Sequence, residues 1–363
     1  MDKDPPDNHS LNILDGVRPI EIMLGRDHLR LKEEITNPDL GLVDRLESLE
    51  DIISLDIGDS SLTRARSLER SHDLRKVYLK YEGDNPTGTQ KDRIAFAQVY
   101  DALRRGYEVI VAATCGNYGV AVAYAAFFAG IKCQIYIPAS YHTERANEMQ
   151  SWGAEVIYLP GSYEEVVEAS SKLALEKELY DANPGGQNTP IQLQAYAQIA
   201  WEIYDQLRDA PKYLAFPVSN GTLLAGVYRG FVSLYKRGKT SRIPHFVAGS
   251  SAYKNPIINS FLKNHSQTED LAPHKIRETK VNEPLINWHS FDGDEALYAL
   301  RETQGYAAHI SDRAMLNMSS FLSKNDGLRV LPASTAGLVA FLKLHQATAL
   351  PNDRFVCLIT ARR

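Results

Sequence analysis

The sequence contains few cysteines, no long apolar run and no excess of positive charge. Its three cysteines, Cys115, Cys133 and Cys357, are far apart and form no C-x-x-C pair, so we expect neither a metal site nor a disulfide framework. No apolar run is long enough to span a bilayer, and the polar start MDKDPPDNHS lacks the pattern of a signal peptide. The net charge of −5 favours neither nucleic acid nor an anionic membrane as a partner. We therefore expect a cytoplasmic protein.

Two nucleotide-binding motifs are also absent. Gly116 and Gly119 lack the first glycine of G-x-G-x-x-G, and no matching acidic residue is evident, so a nicotinamide-dependent dehydrogenase is disfavoured. The P-loop pattern, a glycine followed after four residues by G-K-[ST], is missing as well.

Short apolar segments alternate with longer helical ones from residue 77 onward. The segments that read as strands are KVYLKYE, EVIVAAT, KCQIYIP, AEVIYLPG, KYLAFPV, HFVAGSSA and RFVCLIT. Helical patterns of ten or more residues separate most of them, which is typical of βαβ units and of a parallel sheet covered on both faces. Residues 255–280 show no clear pattern.

This alternation, in a chain of 363 residues, predicts an α/β protein with two doubly wound open-sheet domains and a cleft between them. We expect a small domain over 91–179 and a large domain from 51–90 and 180–363. Residues 1–50 would form an extension whose segments LRLKEEI and LVDRLESLEDI predict short helices that pack on the body or on a partner subunit. Ligands of such sheets bind beyond the carboxyl ends of the strands.

A single lysine stands where such a ligand would bind. In the segment EGDNPTGTQKDR, Glu82–Arg93, turn-forming residues end the preceding strand and Lys91 opens a helix that stops at Gly106. A lysine on a solvated helix face is the commoner case. The position between a strand and a helix instead favours a lysine that acts on a ligand.

Other strand ends carry groups that suit a ligand. TCGNYG, Thr114–Gly119, joins a strand to a buried helix, and the helix N-terminus suits a carboxylate. SNGT, Ser219–Thr222, has the same position and suits a phosphate. Thr360 places a hydroxyl at the end of the last strand.

These groups together suit pyridoxal phosphate. A lysine amine forms a Schiff base with an aldehyde, and pyridoxal phosphate has one aldehyde, one phosphate and one ring nitrogen to satisfy.

In their order along the chain, these motifs resemble those of the fold-type II pyridoxal-phosphate enzymes, and within them the threonine synthases. NPTGTQKDR is similar to the family's N-P-T-G-S-F-K-D-R, TCGNYG to S-S-G-N-T-G, and WGAEVIYLPG to Y-G-A-x-V-I-x-V-x-G. PVSNGTLLAGVYRGF resembles the phosphate loop P-V-G-N-G-G-N-x-x-A, and LPASTAGLVAF resembles E-P-A-S-A-A-x-x-A-G. The resemblance covers about residues 55–363.

The resemblance implies a role for each matched position, with pyridoxal 5'-phosphate in the cleft between the domains. Lys91 would form the Schiff base and then act as the proton shuttle. Asn117 would hydrogen-bond the ring oxygen of the cofactor, and Thr360 would face its ring nitrogen, which favours elimination and replacement over transamination. The implied phosphate cradle is Ser219, Asn220, Gly221, Thr222 and Leu223. The implied substrate contacts are Thr114, Cys115, Gly116, Asn117, Tyr118 and Asn183.

The chain also departs from the family pattern. Tyr118 replaces a small threonine, so the carboxylate turn is crowded or carries an extra phenol. Ser219, Thr222 and Leu223 stand where Gly, Gly and Asn are expected. NPGGQ keeps Asn183 but lacks the arginine with which threonine synthases help to bind the substrate's phosphate. Besides Tyr118, the candidates to line the outer pocket are Cys115, His142, Arg145 and Asn183.

These observations predict a lyase or synthase that eliminates or replaces a group at the β- or γ-carbon of a small-molecule amino-acid substrate. One alternative is a β-replacing synthase or ammonia-lyase that acts on a serine- or cysteine-type substrate. Another is a non-catalytic module that binds an amino acid, which the presence of Lys91 disfavours. The family resemblance implies a homodimer.

Overall fold

The computed structural model describes residues 24–114, 116–141, 143 and 145–363. The helices are α1 Arg26–Thr36, α2 Leu42–Asp56, α3 Arg66–Ser71, α4 Lys91–Arg104, α5 Asn117–Ala129, α6 Arg145–Ser151, α7 Tyr163–Glu176, α8 Thr189–Leu207, α9 Thr222–Lys236, α10 Pro256–Leu262, α11 Gly293–Glu302, α12 Asp312–Asp326 and α13 Ala336–Thr348. The strands are β1 Ser61–Arg64, β2 Val77–Tyr81, β3 Val109–Ala113, β4 Lys132–Pro138, β5 Glu155–Leu159, β6 Tyr180–Asp181, β7 Tyr213–Pro217, β8 His245–Ser251, β9 Tyr306–Ile310 and β10 Phe355–Ile359. None of these helices is long and apolar enough to cross a membrane.

The strands form two sheets. The larger has six strands in the order β1-β2-β10-β7-β8-β9, and the smaller has four in the order β5-β4-β3-β6. Only β1 pairs antiparallel, with β2, and every other described pair is parallel. Crossover helices join the parallel strands and cover both faces, as their near-continuous apolar sequences predict. The expected fold of doubly wound α/β sheets is confirmed.

The boundary expected after residue 179 is wrong by one short strand. β6, Tyr180–Asp181, pairs with β3 in the small sheet and not with the large one. Two residues carry too little pattern for a strand to be predicted from the sequence. β1 and β9 were also not predicted, because β1 is a polar strand at the edge of the sheet and β9 is a short run, YAAHI, between two helices.

Apolar residues fill the space between the sheets and their helices. The largest core cluster includes residues of both sheets and of the helices between them, among them Phe96, Ile135, Tyr196 and Phe246. Separate clusters lie on the outer face of the large sheet, around Phe341 and Phe355, and on the outer face of the small sheet. One apolar core therefore continues from one sheet to the other.

The amphipathic segments predicted near the N-terminus form α1 and α2. Leu31 and Ile35 of α1 and Leu49 and Ile52 of α2 are buried in the largest core cluster. The Lys32 ammonium lies 4.1 Å from the centroid of the Phe127 ring of α5. Of the two packing partners left open by the sequence, the structure shows packing on the body of the chain itself.

Candidate active site

The carboxyl ends of strands from both sheets open onto one cavity of about 680 Å³. Parallel strands bring their carboxyl ends to the same edge of a sheet, so residues far apart in sequence meet there. The predicted site residues that line the cavity are Lys91, Thr114, Gly116, Asn117, Tyr118, Ser219, Asn220, Gly221, Thr222, Leu223 and Thr360. Arg145 lines the same cavity. Cys115 and His142 lie outside the described residues.

Lys91 is the first residue of α4. Its Nζ lies 5.3 Å from the centroid of the Tyr118 ring and makes no hydrogen bond to the part of the chain that the structure describes. Burial lowers the pKa of Lys91 from 10.5 to about 8, while the nearby charge of Asp292 acts in the opposite direction. With this pKa, about a tenth of the molecules carry a neutral, nucleophilic amine at pH 7.

The turn that precedes this lysine is held from two sides. Asp92 accepts hydrogen bonds from the backbone N–H of Thr87 at 2.8 Å and from its hydroxyl at 2.5 Å. From the other side, Arg362 Nη2 donates to the carbonyl of Pro86 at 2.7 Å, and the Arg362 N–H donates to the carbonyl of Gly88 at 2.9 Å. A Cβ at Gly88 would lie 2.5 Å from the Arg362 side chain, so the contact requires glycine.

A buried network of four charges lies beside the turn. Arg93 of α4 forms paired hydrogen bonds with Glu82, at 2.6 and 2.9 Å, and with Glu202 of α8, also at 2.6 and 2.9 Å. Lys80 of β2 lies 2.6 Å from Glu202. Burial opposes the charge of Glu202, yet the hydrogen bonds and charges of Arg93 and Lys80 lower its pKa to about 2. The network joins the start of α4 to the large sheet and to α8.

The predicted carboxylate turn leads from β3 into α5. The Gly116 N–H donates to Thr114 Oγ1 at 3.3 Å, and the first N–H groups of α5 have no acceptor within the helix, which suits a carboxylate. The Tyr118 hydroxyl is not free to act on a ligand. It donates to the carbonyl of Ala182 at 2.6 Å and accepts from Gln98 Nε2 at 2.5 Å, and burial raises its pKa. Tyr118 therefore crowds the turn and adds no reactive phenol.

The predicted phosphate loop ends at Gly221, where the backbone has φ +96°. A Cβ at Gly221 would lie 2.8 Å from the carbonyl oxygen of Asp292. Asn255 Nδ2 donates to the Ser219 carbonyl at 2.9 Å, and α9 begins directly afterwards at Thr222. The loop thus brings the N-terminus of a helix of 15 residues to the cavity, an arrangement that suits an anion.

Thr360 follows β10 and is 8% exposed. Its carbonyl accepts from the Gln90 N–H at 3.1 Å, while its hydroxyl makes no hydrogen bond to another described residue. The hydroxyl is therefore available to a ligand in the cavity.

Asn183 does not line the cavity, contrary to the expectation that it contacts substrate. It is fully buried, and its Oδ1 accepts from the Ala113 N–H at 2.7 Å. Its Nδ2 donates to Ser170, Ser171 and Asp181 at 2.8 to 3.1 Å. The side chain uses its hydrogen-bonding atoms to fix the chain beside β3, so the prediction that it binds substrate is wrong.

Asp292 is a residue of the site that the sequence did not reveal. It is buried and accepts a hydrogen bond from the Thr222 hydroxyl. Burial raises its pKa to about 6, although the Thr222 hydrogen bond and the charge of Lys91 act in the opposite direction. Asn287 was missed as well, and its Nδ2 donates to Asn220 Oδ1 at 3.1 Å. No motif marks either residue, because their partners lie about 70 positions away in sequence.

Comparison with known proteins identifies a pyridoxal-phosphate family, and this cofactor also suits the geometry of the site. The sequence profile of the family described as "Pyridoxal-phosphate dependent enzyme" matches residues 53–361. The chain belongs to this family. The threonine synthase of Methanocaldococcus jannaschii is 28% identical over 352 residues, which cover 94% of this chain and 85% of that protein.

Solved structures share the fold of this chain. Maize serine racemase has a TM-score of 0.71 at 17% identity, and the match covers 88% of this chain and 94% of that one. Threonine deaminase isoform 2 from Solanum lycopersicum has a TM-score of 0.69 at 16% identity, with 90% of this chain and 92% of that one covered. The prediction of a fold-type II, threonine synthase-like pyridoxal-phosphate enzyme is confirmed.

The residues of the cavity fit this cofactor. The amine of Lys91 lines the cavity and has no hydrogen-bond partner among the described residues, as expected of an amine whose partner is an aldehyde. Glycine is required at position 221, where the backbone approaches Asp292 closely and a helix begins. The Thr360 hydroxyl supplies a neutral polar group at the end of β10, the strand beside β7. Together these groups suit an aldehyde, a phosphate and a ring nitrogen.

Proposed function

We propose that the enzyme eliminates or replaces a group at the β- or γ-carbon of an amino acid, with Lys91 as the residue that holds the cofactor. The environment of Lys91 is the observation that carries the proposal. Its side chain is half-buried, and its amine has a pKa of about 8 and no hydrogen-bond partner among the described residues. Such an amine is nucleophilic near neutral pH, and it lies in a cavity with room for both cofactor and substrate.

In this proposal, the residues at each strand end bind a different part of the cofactor or substrate. The N–H groups of Ser219–Leu223 bind the phosphate, and Asn117 donates a hydrogen bond to the ring oxygen. The turn over residues 114–118 binds the substrate carboxylate through the N-terminus of α5. The Thr360 hydroxyl faces the ring nitrogen, and because it is neutral it favours elimination and replacement over transamination.

Lys91 also moves the proton. Pyridoxal phosphate, when bound, supplies an electron sink for the pair released at the substrate's α-carbon. Lys91 Nζ would accept the proton from the substrate's α-carbon and return a proton later in the reaction. The lowered pKa of the amine suits both directions of this transfer near neutral pH.

Two substrate classes are consistent with this proposal. A threonine synthase-like γ-replacement is favoured by the relative from Methanocaldococcus jannaschii, which aligns over nearly the whole chain. A β-replacement or deamination of a serine- or cysteine-type substrate is favoured by the segment after Asn183. Gly185 and Gly186 have no side chain where threonine synthases carry an arginine, and a Cβ at Gly185 would lie 2.9 Å from the Phe291 side chain.

We further propose that the enzyme works in the cytoplasm as a homodimer on a free amino acid. Size-exclusion chromatography with light scattering would test the dimer, since a monomer would elute at the 40.6 kDa of the chain.

Absorbance spectroscopy combined with product analysis tests the proposed reaction. Single amino acids and their O-phospho and O-acetyl derivatives are added to the holoenzyme, and the visible band and the released products are followed. A band shift and threonine formation with O-phosphohomoserine would support γ-replacement, whereas turnover of serine or cysteine derivatives would support the second substrate class. A protein that binds the cofactor and converts none of these compounds would contradict the proposed function.

A further inference from the structure

Arg145 makes a contact to the proposed cofactor-binding amide that the sequence did not predict. Its Nη2 donates to Asn117 Oδ1 at 2.7 Å, and its Nη1 donates to Glu148 Oε2 at 2.5 Å. The Arg145 side chain is 34% exposed, and both Arg145 and Asn117 line the cavity. Glu148 therefore orients the Arg145 guanidinium, and the guanidinium in turn orients the Asn117 amide.

The chemistry of this contact sets the direction of the amide. A guanidinium has donors and no acceptor, so only the oxygen of the Asn117 amide can face Arg145. The nitrogen of the same amide is then directed away from Arg145. Nδ2 of Asn117 makes no hydrogen bond to the described part of the chain, so its donors remain available to a ligand.

We propose that Arg145 is a positioning residue that orients Asn117 so that its Nδ2, and not its Oδ1, meets the ring oxygen of the cofactor. The inference rests on the proposed function, because it needs the cofactor in this cavity. Without Arg145, the amide can rotate by half a turn and present an acceptor to the ring oxygen. That orientation favours a protonated ring oxygen, whereas a donor favours the ionised one.

The loss of Arg145 therefore has a spectroscopic signature that activity measurements do not give. We expect Arg145→Met, which keeps an unbranched side chain of similar length without donors, to move absorbance of the bound cofactor from the visible toward the near ultraviolet. The dissociation constant for pyridoxal phosphate should rise about tenfold to hundredfold, the range for a lost hydrogen bond to a charged group. Arg145→Lys retains a donor and should recover part of the visible band.

A double-mutant cycle separates positioning from a general electrostatic or structural effect. If Arg145 acts through Asn117, then Arg145→Met should change neither the band nor the dissociation constant once Asn117 is already Ala. Arg104→Met is the matched control, because Arg104 also bonds a carboxylate three residues away on its own helix, Asp101 at 2.5 Å, and does not line the cavity. We expect that control to bind the cofactor like the wild type.

The outcomes distinguish this inference from the proposed function. A wild-type protein that binds no pyridoxal phosphate would overturn the proposed function and, with it, the inference. A wild type that binds normally, with an Arg145→Met effect that is absent or undiminished in the Asn117→Ala background, would overturn the inference alone. If Arg145→Met does not fold, as judged by its melting curve, Arg145→Ala is measured in the same cycle and interpreted in the same way.

Discussion

At Gly221, both the backbone conformation and the proposed phosphate site require a residue without a side chain. The residue has φ +96°, and a Cβ would lie 2.7 Å from the Ala296 Cβ as well as close to Asp292. A substitution must therefore move either α11 or the start of α9, and the start of α9 is the proposed phosphate site.

Gly221→Ala should lower both stability and cofactor affinity. We expect a loss of about 1–3 kcal/mol in the free energy of unfolding, from strain at positive φ together with the close contacts. Gly238→Ala is the matched control, since Gly238 also has positive φ, +66°, but no atom lies within 4 Å of an added Cβ. Denaturant unfolding and cofactor titration measure both effects. Equal losses in the two variants would contradict the proposed close fit.

The pKa of Lys91 predicts how cofactor capture depends on pH. Only the neutral amine attacks an aldehyde, and the proportion of neutral amine rises with pH up to the pKa. Because burial lowers that pKa to about 8, the capture rate should rise about tenfold per pH unit below pH 8 and level off above it. Stopped-flow absorbance on the cofactor-free protein measures the profile.

Asp292→Asn tests the cause of this profile. The charge of Asp292 raises the pKa of Lys91, so its removal should lower that pKa and move the midpoint of the profile to lower pH. A midpoint that stays in place, or one near the ordinary lysine value of 10.5, would show that the lysine's environment is not the one described.

At the scale of elements, the position of α4 depends on the buried charges around Arg93. Arg93 and Glu82 are 4% and 0% exposed, and Glu202 is 12% exposed. Removal of one partner from such a network leaves an uncompensated buried charge, which costs far more than the loss of an ion pair in water. The network thus holds α4 at Arg93, two residues after Lys91.

Arg93→Ala should therefore cost about 3–5 kcal/mol in the free energy of unfolding. Arg229→Ala is the control, because Arg229 pairs with Glu295 at 2.7 Å with side chains 52% and 45% exposed, and exposed pairs contribute about 0–1 kcal/mol. Urea unfolding monitored by circular dichroism compares the two variants. Similar losses would mean that the network does not hold α4.

The turn chemistry and the parallel strands allowed most of the site to be predicted from the sequence. Lys91, Thr114, Ser219 and Thr360 all follow or adjoin strand ends, and the carboxyl ends of parallel strands converge. Contacts between separate segments could not be predicted in this way. The bond from Arg145 to Asn117 joins residues 28 positions apart, and nothing local to either residue signals it.

At the scale of the whole molecule, α1 and α2 belong to the core although the sequence presents them as an extension. Ile35→Ala should cost about 2–5 kcal/mol, because Ile35 is 0% exposed in the largest apolar cluster. Leu55→Ala in α2 is the control, since Leu55 is 64% exposed, and it should cost less than about 0.5 kcal/mol. Thermal unfolding measures both, and a neutral Ile35→Ala would contradict this packing.

Reduction of the holoenzyme with borohydride tests the central claim most directly. The reagent fixes a cofactor held by a lysine as a stable secondary amine, and peptide mass spectrometry then identifies the lysine that carries it. We expect a pyridoxyl group on the peptide that contains Lys91, and its loss together with the visible band in Lys91→Ala. Modification of a different lysine, or a Lys91→Ala protein that keeps the band, would contradict the role given to Lys91.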